Sequence, residues 1–242
     1  MAERNLFIEY LRAVSVGCVL VFHLYPDNNL YRGVDIFFVI SGYLIAWLYL
    51  SRDVSSLCFI KKRFLRLYPP LLVTLLISLW FSYFTLFPEE FAEAQLVSIS
   101  SLLGFSNYIF WTSIDYFNAD YSSEVFLHLW SLAVEFQFYG LVAVLLLIIP
   151  VRYRFPFFCL LCIFSFCVFL YFEDRRFAFY LSPFRLWEFG LGMLAYLGSL
   201  NRNLNGLSER SRFLISRVCL VLILFIPVAI HLSLLGGLGV VV

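Results

Sequence analysis

Long apolar runs separated by short polar segments make up most of this chain. A helix needs roughly 20 apolar residues to cross about 30 Å of hydrocarbon, and fewer where the bilayer thins. Seven runs approach that length, near residues 7–25, 34–50, 69–87, 127–149, 156–172, 183–200 and 213–235. The pattern predicts an all-α, polytopic transmembrane helical bundle with about seven spans, forming one domain over residues 1–242.

An eighth apolar stretch, residues 94–111, is rich in Ser and carries Gly104 and Asn107. We predict loops or turns at 51–66, 150–155 and 201–212, and all three are basic, which places them in the cytoplasm under the positive-inside rule. Because the first and second of these segments both lie in the cytoplasm, an even number of spans must separate them. The two full spans 69–87 and 127–149 meet this requirement. We therefore predict that residues 94–111 form a re-entrant or interfacial segment within a long outer loop, 88–124.

The charges outside the spans are distributed unequally. Twelve of the seventeen Lys and Arg residues fall on the predicted cytoplasmic side, whereas the outer loop 88–124 holds six acidic residues and no basic one. This asymmetry predicts a cytoplasmic N-terminus and a last residue outside. No short cleavable signal is evident before the first run, so we expect that run to be retained as an anchor.

Composition narrows the class of protein. Apolar residues make up 62% of the chain and charged residues 14%, against about 45–50% and about 25% in soluble domains, so lipid must cover much of the surface. The six cysteines lie in or beside apolar runs, and the Cys159-x-x-Cys162 pair has no second pair or histidine cluster. We expect packed or lipid-facing thiols, with no metal, and no nucleic-acid partner.

Two ionisable residues interrupt the first span. Arg12 and His23 are eleven residues apart, which at about 100° per residue puts them on one helix face, about 16 Å apart along the axis. An ionisable group within a span costs about 2.5–3.5 kcal/mol, so each needs a partner or a function. Alternatively, Arg12 extends to the cytoplasmic interface and His23 to the outer one.

Other ionisable groups are predicted at the outer depth of His23. They open the second, fourth and sixth spans, and comprise Asp35, His128, Glu135, Arg185 and Glu188. Glu135 lies two turns beyond His128 on the same face. Taken alone, Arg185 with Glu188 is typical of a structural ion pair, and His128 of an interfacial histidine. Because four helices each bring such groups to one leaflet, we predict that they converge on a functional site.

A basic cluster marks the predicted inner side, where Lys61-Lys62-Arg63-Phe64-Leu65-Arg66 precedes Tyr68-Pro69-Pro70. Such a cluster can be a topology signal that contacts anionic lipid. It can also bind an anionic, phosphate-bearing donor, because the guanidinium group of arginine forms paired hydrogen bonds with phosphate.

Five blocks of the sequence belong together: Arg12…His23, the block Gly33–Ile45 (GVDIFFVISGYLI), the block Arg63–Pro69 (RFLRLYP), the block His128–Tyr139 (HLWSLAVEFQFY) and the block Arg185–Gly190 (RLWEFG). In this order, and over nearly the whole chain, they resemble the membrane acyltransferase family 3. The resemblance implies a bacterial inner-membrane enzyme. Such enzymes move an acyl group, usually acetyl from cytoplasmic acetyl-CoA, to a hydroxyl of an outward-facing glycan or lipid-linked sugar.

The resemblance also implies site residues. His23 is expected to be the catalytic histidine and Arg12 its partner, while Arg63 and Arg66 form the Arg-x-x-Arg expected to contact the phosphates of acyl-CoA. A neutral imidazole can remove the proton of the attacking hydroxyl, and Asp35 or Glu135 could orient it. Individual roles for His128, Arg185 and Glu188 remain open, as substrate contacts or structural polar groups.

Two departures from the family pattern matter. Phe136 stands where the family has a second acidic residue, so Glu135 carries any acidic role alone. The family has about ten spans, so we expect this chain to be a fragment or a shortened form. A transporter that uses the same buried charges as a relay, and an inactive truncated paralogue, are the alternatives to an enzyme.

Overall fold

The structure is a computed structural model that describes residues 6–25, 29–50, 55–113, 126–171 and 175–199, and every regular element in these ranges is helical. The α-helices are α1 Leu6–Leu24, α2 Gly33–Ile45, α3 Ser56–Thr85, α4 Pro88–Leu102, α5 Ser106–Ser113, α6 Leu129–Ile148, α7 Val151–Tyr171, α8 Arg175–Tyr180 and α9 Leu186–Ser199. Short 3₁₀ turns at Asn29–Arg32 and Ser182–Phe184 and a π-helical turn at Ala46–Leu50 complete the set. The predicted all-α class is confirmed.

Within the described ranges, five helical segments are long and apolar enough to cross a membrane: Leu6–Leu24, Leu30–Leu48, Ser56–Thr85, Leu129–Ile148 and Arg152–Tyr171. They correspond to the first five predicted spans. The sixth prediction, 183–200, coincides with α9, whose 14 described residues extend only about 21 Å. The seventh, 213–235, lies outside the described residues.

Helix α3 begins well before the predicted span. The sequence pattern assigned residues 51–66 to a loop, but residues 56–66 form the first three turns of a 30-residue helix. Ser55 caps this helix, since its side chain accepts a hydrogen bond from the backbone N–H of Cys58 at 3.3 Å. Lys, Arg and Leu are good helix formers, and Pro69 and Pro70 lie inside the helix without ending it. The basic cluster is therefore helical.

The chain divides into two compact units. The first unit comprises Met1–Asp53, Val151–Phe164 and Trp187–Val242, and the second comprises Val54–Pro150 and Ser165–Leu186. The first unit thus holds α1, α2, the larger part of α7 and nearly all of α9, and the second holds α3 to α6, the end of α7 and α8.

In the first unit, α1 and α2 form an antiparallel pair. Phe22, near the end of α1, contacts Tyr31 in the turn just before α2. Ile8, near the start of α1, packs in a cluster with Val39 and Leu44 farther along α2. This is the relation expected of two successive spans joined by a short turn.

Helices α2 and α9 approach each other closely because two glycines lie at their contact. A Cβ on Gly42 would meet the backbone of Phe189, and one on Gly192 would meet the backbone of Val39. The Phe38–Phe189 and Tyr43–Tyr196 ring pairs advance together along both helices, so α2 and α9 run in the same direction. The predicted topology requires this, since both spans were expected to enter from outside.

We expect Gly42→Ala to destabilise the protein by about 1–3 kcal/mol, because the added methyl group meets a backbone carbonyl that cannot move aside alone. Gly17→Ala is the matched control, since a Cβ at Gly17 meets nothing within 4 Å. Thermal unfolding in detergent micelles measures both variants. Equal melting temperatures for the two would contradict the close α2–α9 contact.

In the second unit, the predicted re-entrant segment is a broken helix. Helices α4 and α5 have 15 and 8 residues and meet at Gly104, whose φ of +75° favours glycine. Non-helical backbone at membrane depth needs partners for its polar groups. The Tyr68 hydroxyl donates to the Leu102 carbonyl and the side-chain amide of Gln137 donates to the Gly104 carbonyl at 2.7 Å. The break therefore agrees with a segment that does not span.

Gln137 is the centre of a polar network in this unit. Its Nε2 also donates to Asn107 Oδ1 at 2.8 Å, and its Oε1 accepts from the Ser182 hydroxyl. Asn107 Nδ2 in turn donates to the Tyr180 carbonyl at 3.0 Å. Hydrogen bonds in a medium of low dielectric constant are strong, so this network fixes α5 and the 3₁₀ turn Ser182–Phe184 against α6.

Candidate functional site

In the first unit, Arg12 and His23 lie along one edge of α1. The buried residues of this helix, Ile8, Ser15 and Phe22, recur every seven positions and define its packed face. At about 100° per residue, Arg12 and His23 lie about 60–80° from the centre of that face. Arg12 is accordingly half-buried and His23 exposed. The predicted common face of the two residues follows from the continuous helix.

Arg12 lies level with the second turn of α2. Its Cζ is 5.1 Å from the ring centroid of Phe37, a cation–π contact. The hydroxyl of Ser15 donates to the Arg12 carbonyl at 2.8 Å, so the hydroxyl has its hydrogen-bond partner within α1. The guanidinium therefore sits within the helix pair, not at an end of it.

His23 is at the other end of α1, one residue before the helix ends. The Phe22 ring stands edge-on to the imidazole at 5.7 Å between centroids and edge-on to Tyr31 at 5.6 Å. The imidazole is exposed beside this aromatic pair.

Two carboxylates of the first unit are buried at the starts of helices. Asp35 is the third residue of α2 and Glu188 the third of α9, with 2% and 0% of their surface exposed. The first turn of a helix carries partial positive charge and free N–H groups, so it stabilises a carboxylate there. The fold thus accommodates both acids without exposing them.

The depth of these carboxylates corrects the predicted grouping. In the α1–α2 pair Phe37 faces Arg12 and Gly33 faces Ser15 to Val19, so Asp35 is about 4–5 Å in depth from Arg12 and about 12 Å from His23. Glu188 precedes Phe189, which contacts Phe38 and Gly42. Both acids thus lie nearer the depth of Arg12 than that of His23, where the sequence analysis had placed them.

In the second unit, Arg63 and Glu135 meet around one tyrosine. Arg63 is 6% exposed and Glu135 1% exposed. The Tyr139 hydroxyl donates to Glu135 Oε1, and Arg63 Cζ is 5.2 Å from the centroid of the Tyr139 ring. Phe59, one turn before Arg63, stands edge-on to the same ring at 6.0 Å.

This arrangement corrects a second prediction. Arg63 was assigned to the inner loop and Glu135 to the outer cluster, but both belong to one buried group. The ring pairs Phe59–Tyr139 and Tyr68–Phe136 show that α3 and α6 are antiparallel. Arg63 lies seven residues into α3, about 10 Å along its axis, so it reaches the level of Tyr139.

The two arginines of the Arg-x-x-Arg pair have different environments. Ser56, Phe59 and Arg63 lie on the buried face of α3, whereas Arg66, three residues later, is exposed. Lys61 and Lys62 are also exposed. Arg66 is therefore the member of the pair that an anionic ligand in solution can reach directly.

His128 and Arg185 complete the predicted residues of the second unit. His128 is exposed and immediately precedes α6, with its carbonyl accepting from the Ser131 hydroxyl at 3.1 Å. Arg185 is 1% exposed and its Nε donates to the Phe179 carbonyl at 3.1 Å. Its Cζ also lies 5.8 Å from the Trp130 ring centroid. These contacts give Arg185 a packed, structural environment.

Phe136 packs as an aromatic residue in this structure. Its ring stacks on Tyr68 at 5.3 Å between centroids, and a Cβ on Gly104 would lie 3.4 Å from its Cβ. The position therefore supports the break between α4 and α5. Glu135 is left as the only acid of its block.

The described cysteines differ in their exposure. Cys162 is buried, its thiol donates to the Trp187 carbonyl at 3.4 Å, and Cys167 is exposed. No group of three His, Cys, Asp or Glu side chains within the described ranges could hold a metal ion.

Sequence reasoning missed Tyr139 and Gln137 as partners of the predicted residues. The i, i+4 spacing of Glu135 and Tyr139 was a usable signal, because such residues face each other on a helix. No sequence signal paired Gln137 with the carbonyl of Gly104, since that contact depends on where α4 breaks.

Comparison with known proteins gives one family match over nearly the whole chain. A family model described as an acyltransferase domain matches residues 5–240. The relative named as a membrane-bound transacylase, BcsY of Komagataeibacter xylinus, is 31% identical over 203 residues, covering 81% of this chain and 52% of that protein. No solved structure matches the chain.

Two further relatives carry the name OatA. The O-acetyltransferase of Staphylococcus aureus is 34% identical over 155 residues, covering 61% of this chain and 25% of that protein. The peptidoglycan O-acetyltransferase of Listeria monocytogenes is 34% identical over 140 residues, covering 54% of this chain and 22% of that protein. The matched regions thus span about half the length of the first relative and about a quarter or less of the other two.

Proposed function

This chain belongs to the acyltransferase family whose model matches residues 5–240, and we propose that it transfers an acyl group, acetyl in the first instance, from acyl-CoA to a hydroxyl of a glycan. The proposal places the protein in the bacterial inner membrane with its N-terminus in the cytoplasm. The donor then approaches from inside and the acceptor from outside. The names of the relatives, transacylase and O-acetyltransferase, support this reaction class.

The placement of His23 is the observation that carries the proposal. It is an exposed imidazole at one end of a membrane helix, and an imidazole exchanges a proton readily near neutral pH. A histidine that only packed in a core would be buried among apolar side chains. The exposed edge of α1 therefore presents a general base to an incoming hydroxyl.

The proposed reaction proceeds in two steps. The imidazole of His23 takes the proton of the acceptor hydroxyl while the hydroxyl oxygen attacks the carbonyl carbon of the thioester, giving a tetrahedral oxyanion. The C–S bond then breaks, the new C–O ester bond is retained, and the imidazolium returns the proton to the departing thiolate of coenzyme A. Transient acylation of His23 is the covalent variant of the same reaction.

Arg12 is assigned to the donor's path instead of the oxyanion. Its Cα is about 16 Å along the helix axis from that of His23, too far for both side chains to contact one carbonyl group. Asp35 and Glu188 lie nearer its depth, so their negative charge partly balances the guanidinium in a medium of low dielectric constant. Arg12 then offers hydrogen bonds to the polar arm of the donor as it passes between the helices.

In the second unit, the basic start of α3 is assigned to the phosphates of acyl-CoA. Arg66, Lys61 and Lys62 are exposed there, and Arg63 lies behind them against Tyr139. Guanidinium groups bind phosphate through paired hydrogen bonds, and the family's Arg-x-x-Arg pair occupies these positions.

Purified protein incubated with isotope-labelled acetyl-CoA and bacterial glycan fractions tests the proposal. Release of free coenzyme A together with label on the glycan supports it. A transporter would show flux in proteoliposomes without release of coenzyme A, and an inactive paralogue would show neither.

A mass difference on surface glycans between cells with and without the gene identifies the acceptor. Peptidoglycan is the first glycan to examine because one relative is named for it.

The donor assignment makes a separate prediction. Arg66→Ala is expected to raise the KM for acetyl-CoA about tenfold with kcat unchanged, because an exposed guanidinium binds the donor equally in the ground and transition states. The effect should shrink as ionic strength rises. Steady-state kinetics at two salt concentrations measure it.

Arg152→Ala is the matched control for Arg66→Ala. Arg152 is also exposed and lies at the start of α7 on the predicted cytoplasmic side. Its removal changes the net charge by the same amount and should leave the KM for acetyl-CoA within about twofold. Equal KM values for both variants would overturn the assignment of Arg66.

A further inference from the structure

We propose that Tyr139 is a positioning residue that holds the Glu135 carboxylate with its hydroxyl and the Arg63 guanidinium with its ring. The inference rests on the proposed acyl transfer. It assigns to this tyrosine the task of keeping a carboxylate and a guanidinium cation in one fixed arrangement inside the second unit.

The hydroxyl half of the arrangement is a hydrogen bond within α6. Tyr139 follows Glu135 by one helical turn, and its hydroxyl donates to Glu135 Oε1. Both side chains are almost fully buried, at 6% and 1% exposed. A carboxylate removed from water needs hydrogen-bond donors, and a donor on the same helix also restricts its rotation.

The ring half of the arrangement is a cation–π contact with another helix. Arg63 Cζ lies 5.2 Å from the centroid of Tyr139 and 6.0 Å from that of Phe59. The two rings are almost perpendicular, with an interplanar angle of 86°, so they form a corner that the guanidinium occupies. Contacts of this type are stronger when the cation is shielded from water, as Arg63 is here.

The two contacts use different parts of one side chain and are coupled through it. A guanidinium over the ring face draws electron density from the phenol, which makes its hydroxyl a better donor to the carboxylate. The carboxylate in turn favours the nearby cation. Tyr139 therefore links Glu135 and Arg63 through one side chain.

The two halves can be separated by substitution. Tyr139→Phe removes the hydroxyl and keeps the ring, so Arg63 stays in place while Glu135 loses this donor. Tyr139→Leu removes both contacts. Tyr68→Phe is the matched control, because Tyr68 also belongs to the second unit and also donates a hydrogen bond, but to the backbone carbonyl of Leu102.

The three variants are compared with the wild type by acetyl transfer from acetyl-CoA and by thermal unfolding. Tyr139→Phe is expected to lower kcat about tenfold to a hundredfold with the KM for acetyl-CoA within about twofold. Tyr139→Leu should lower kcat at least as much and also raise that KM about tenfold, since Arg63 is released. Tyr68→Phe should lose thermal stability to the same degree as Tyr139→Phe while retaining kcat.

Each failure points to a different conclusion. If the wild type transfers no acetyl group, the proposed function is wrong. If the wild type is active and Tyr139→Phe keeps its kcat, the positioning role is wrong and the proposed function stands. Equal losses of kcat and stability in Tyr139→Phe and Tyr68→Phe would also overturn it, because they would show that the tyrosine only supports the fold.

Discussion

Replacing His23 by alanine is expected to abolish acyl transfer, lowering kcat by about 10² to 10⁴-fold. Within the described part of the first unit, His23 is the only imidazole, so no neighbouring group of suitable basicity replaces it there. The side chain is exposed at the end of α1, and its removal leaves no cavity. The loss should therefore appear in the rate of product formation and not in protein yield or membrane insertion.

Tyr25→Ala is the control for local disturbance at the end of α1. Tyr25 is two residues further along and 68% exposed, so its truncation removes a larger side chain from the same surface. Activity close to that of the wild type in Tyr25→Ala, with its loss in His23→Ala, isolates the imidazole. A His23→Ala protein that keeps more than a tenth of wild-type kcat would contradict the assignment.

The membrane helices were the most predictable feature of this chain. Length and hydropathy located the first five spans, because any helix that crosses the hydrocarbon must satisfy the same requirement of length and apolarity. The unequal distribution of charge identified residues 94–111 as a segment that does not cross the membrane. Its break at Gly104 fits that prediction.

The first residues of α3 were harder to predict. Periodicity and hydropathy detect an apolar helix, whereas residues 56–66 are helical but basic. An exposed basic helix resembles a loop to any hydropathy measure, since both are polar. Assigning Arg63 to a loop placed it far from Glu135, although the two meet at Tyr139.

The depth of Asp35 could not be read from the sequence for a different reason. Sequence gives the position of a residue within its own span, but the depth at which two spans meet depends on their register. In this structure the register is fixed by small residues, with Gly33 against Ser15 to Val19. That contact sets which residues of α1 and α2 are level with each other, and it places Asp35 near the depth of Arg12.

Replacing Glu135 by glutamine is expected to lower kcat about a hundredfold while the protein remains folded. The amide has nearly the same size as the carboxylate, and its oxygen can still accept from the Tyr139 hydroxyl. What the variant loses is the carboxylate that shares Tyr139 with the buried guanidinium of Arg63. A buried cation with less negative charge around it is costly, so the variant should be less stable and Arg63 should shift from its position on Tyr139.

Phe136 makes this variant more damaging than it would be where a second acid is present. Its ring stacks on Tyr68 and cannot supply a charge. Glu93→Gln, at an exposed position of α4 in the same unit, is the control for loss of one carboxylate. If both variants transfer acetyl groups at the wild-type rate, Glu135 has no part in the reaction. If Glu135→Gln alone is slow while it is still folded at the assay temperature, the buried group of Arg63, Tyr139 and Glu135 belongs to the machinery of acyl transfer.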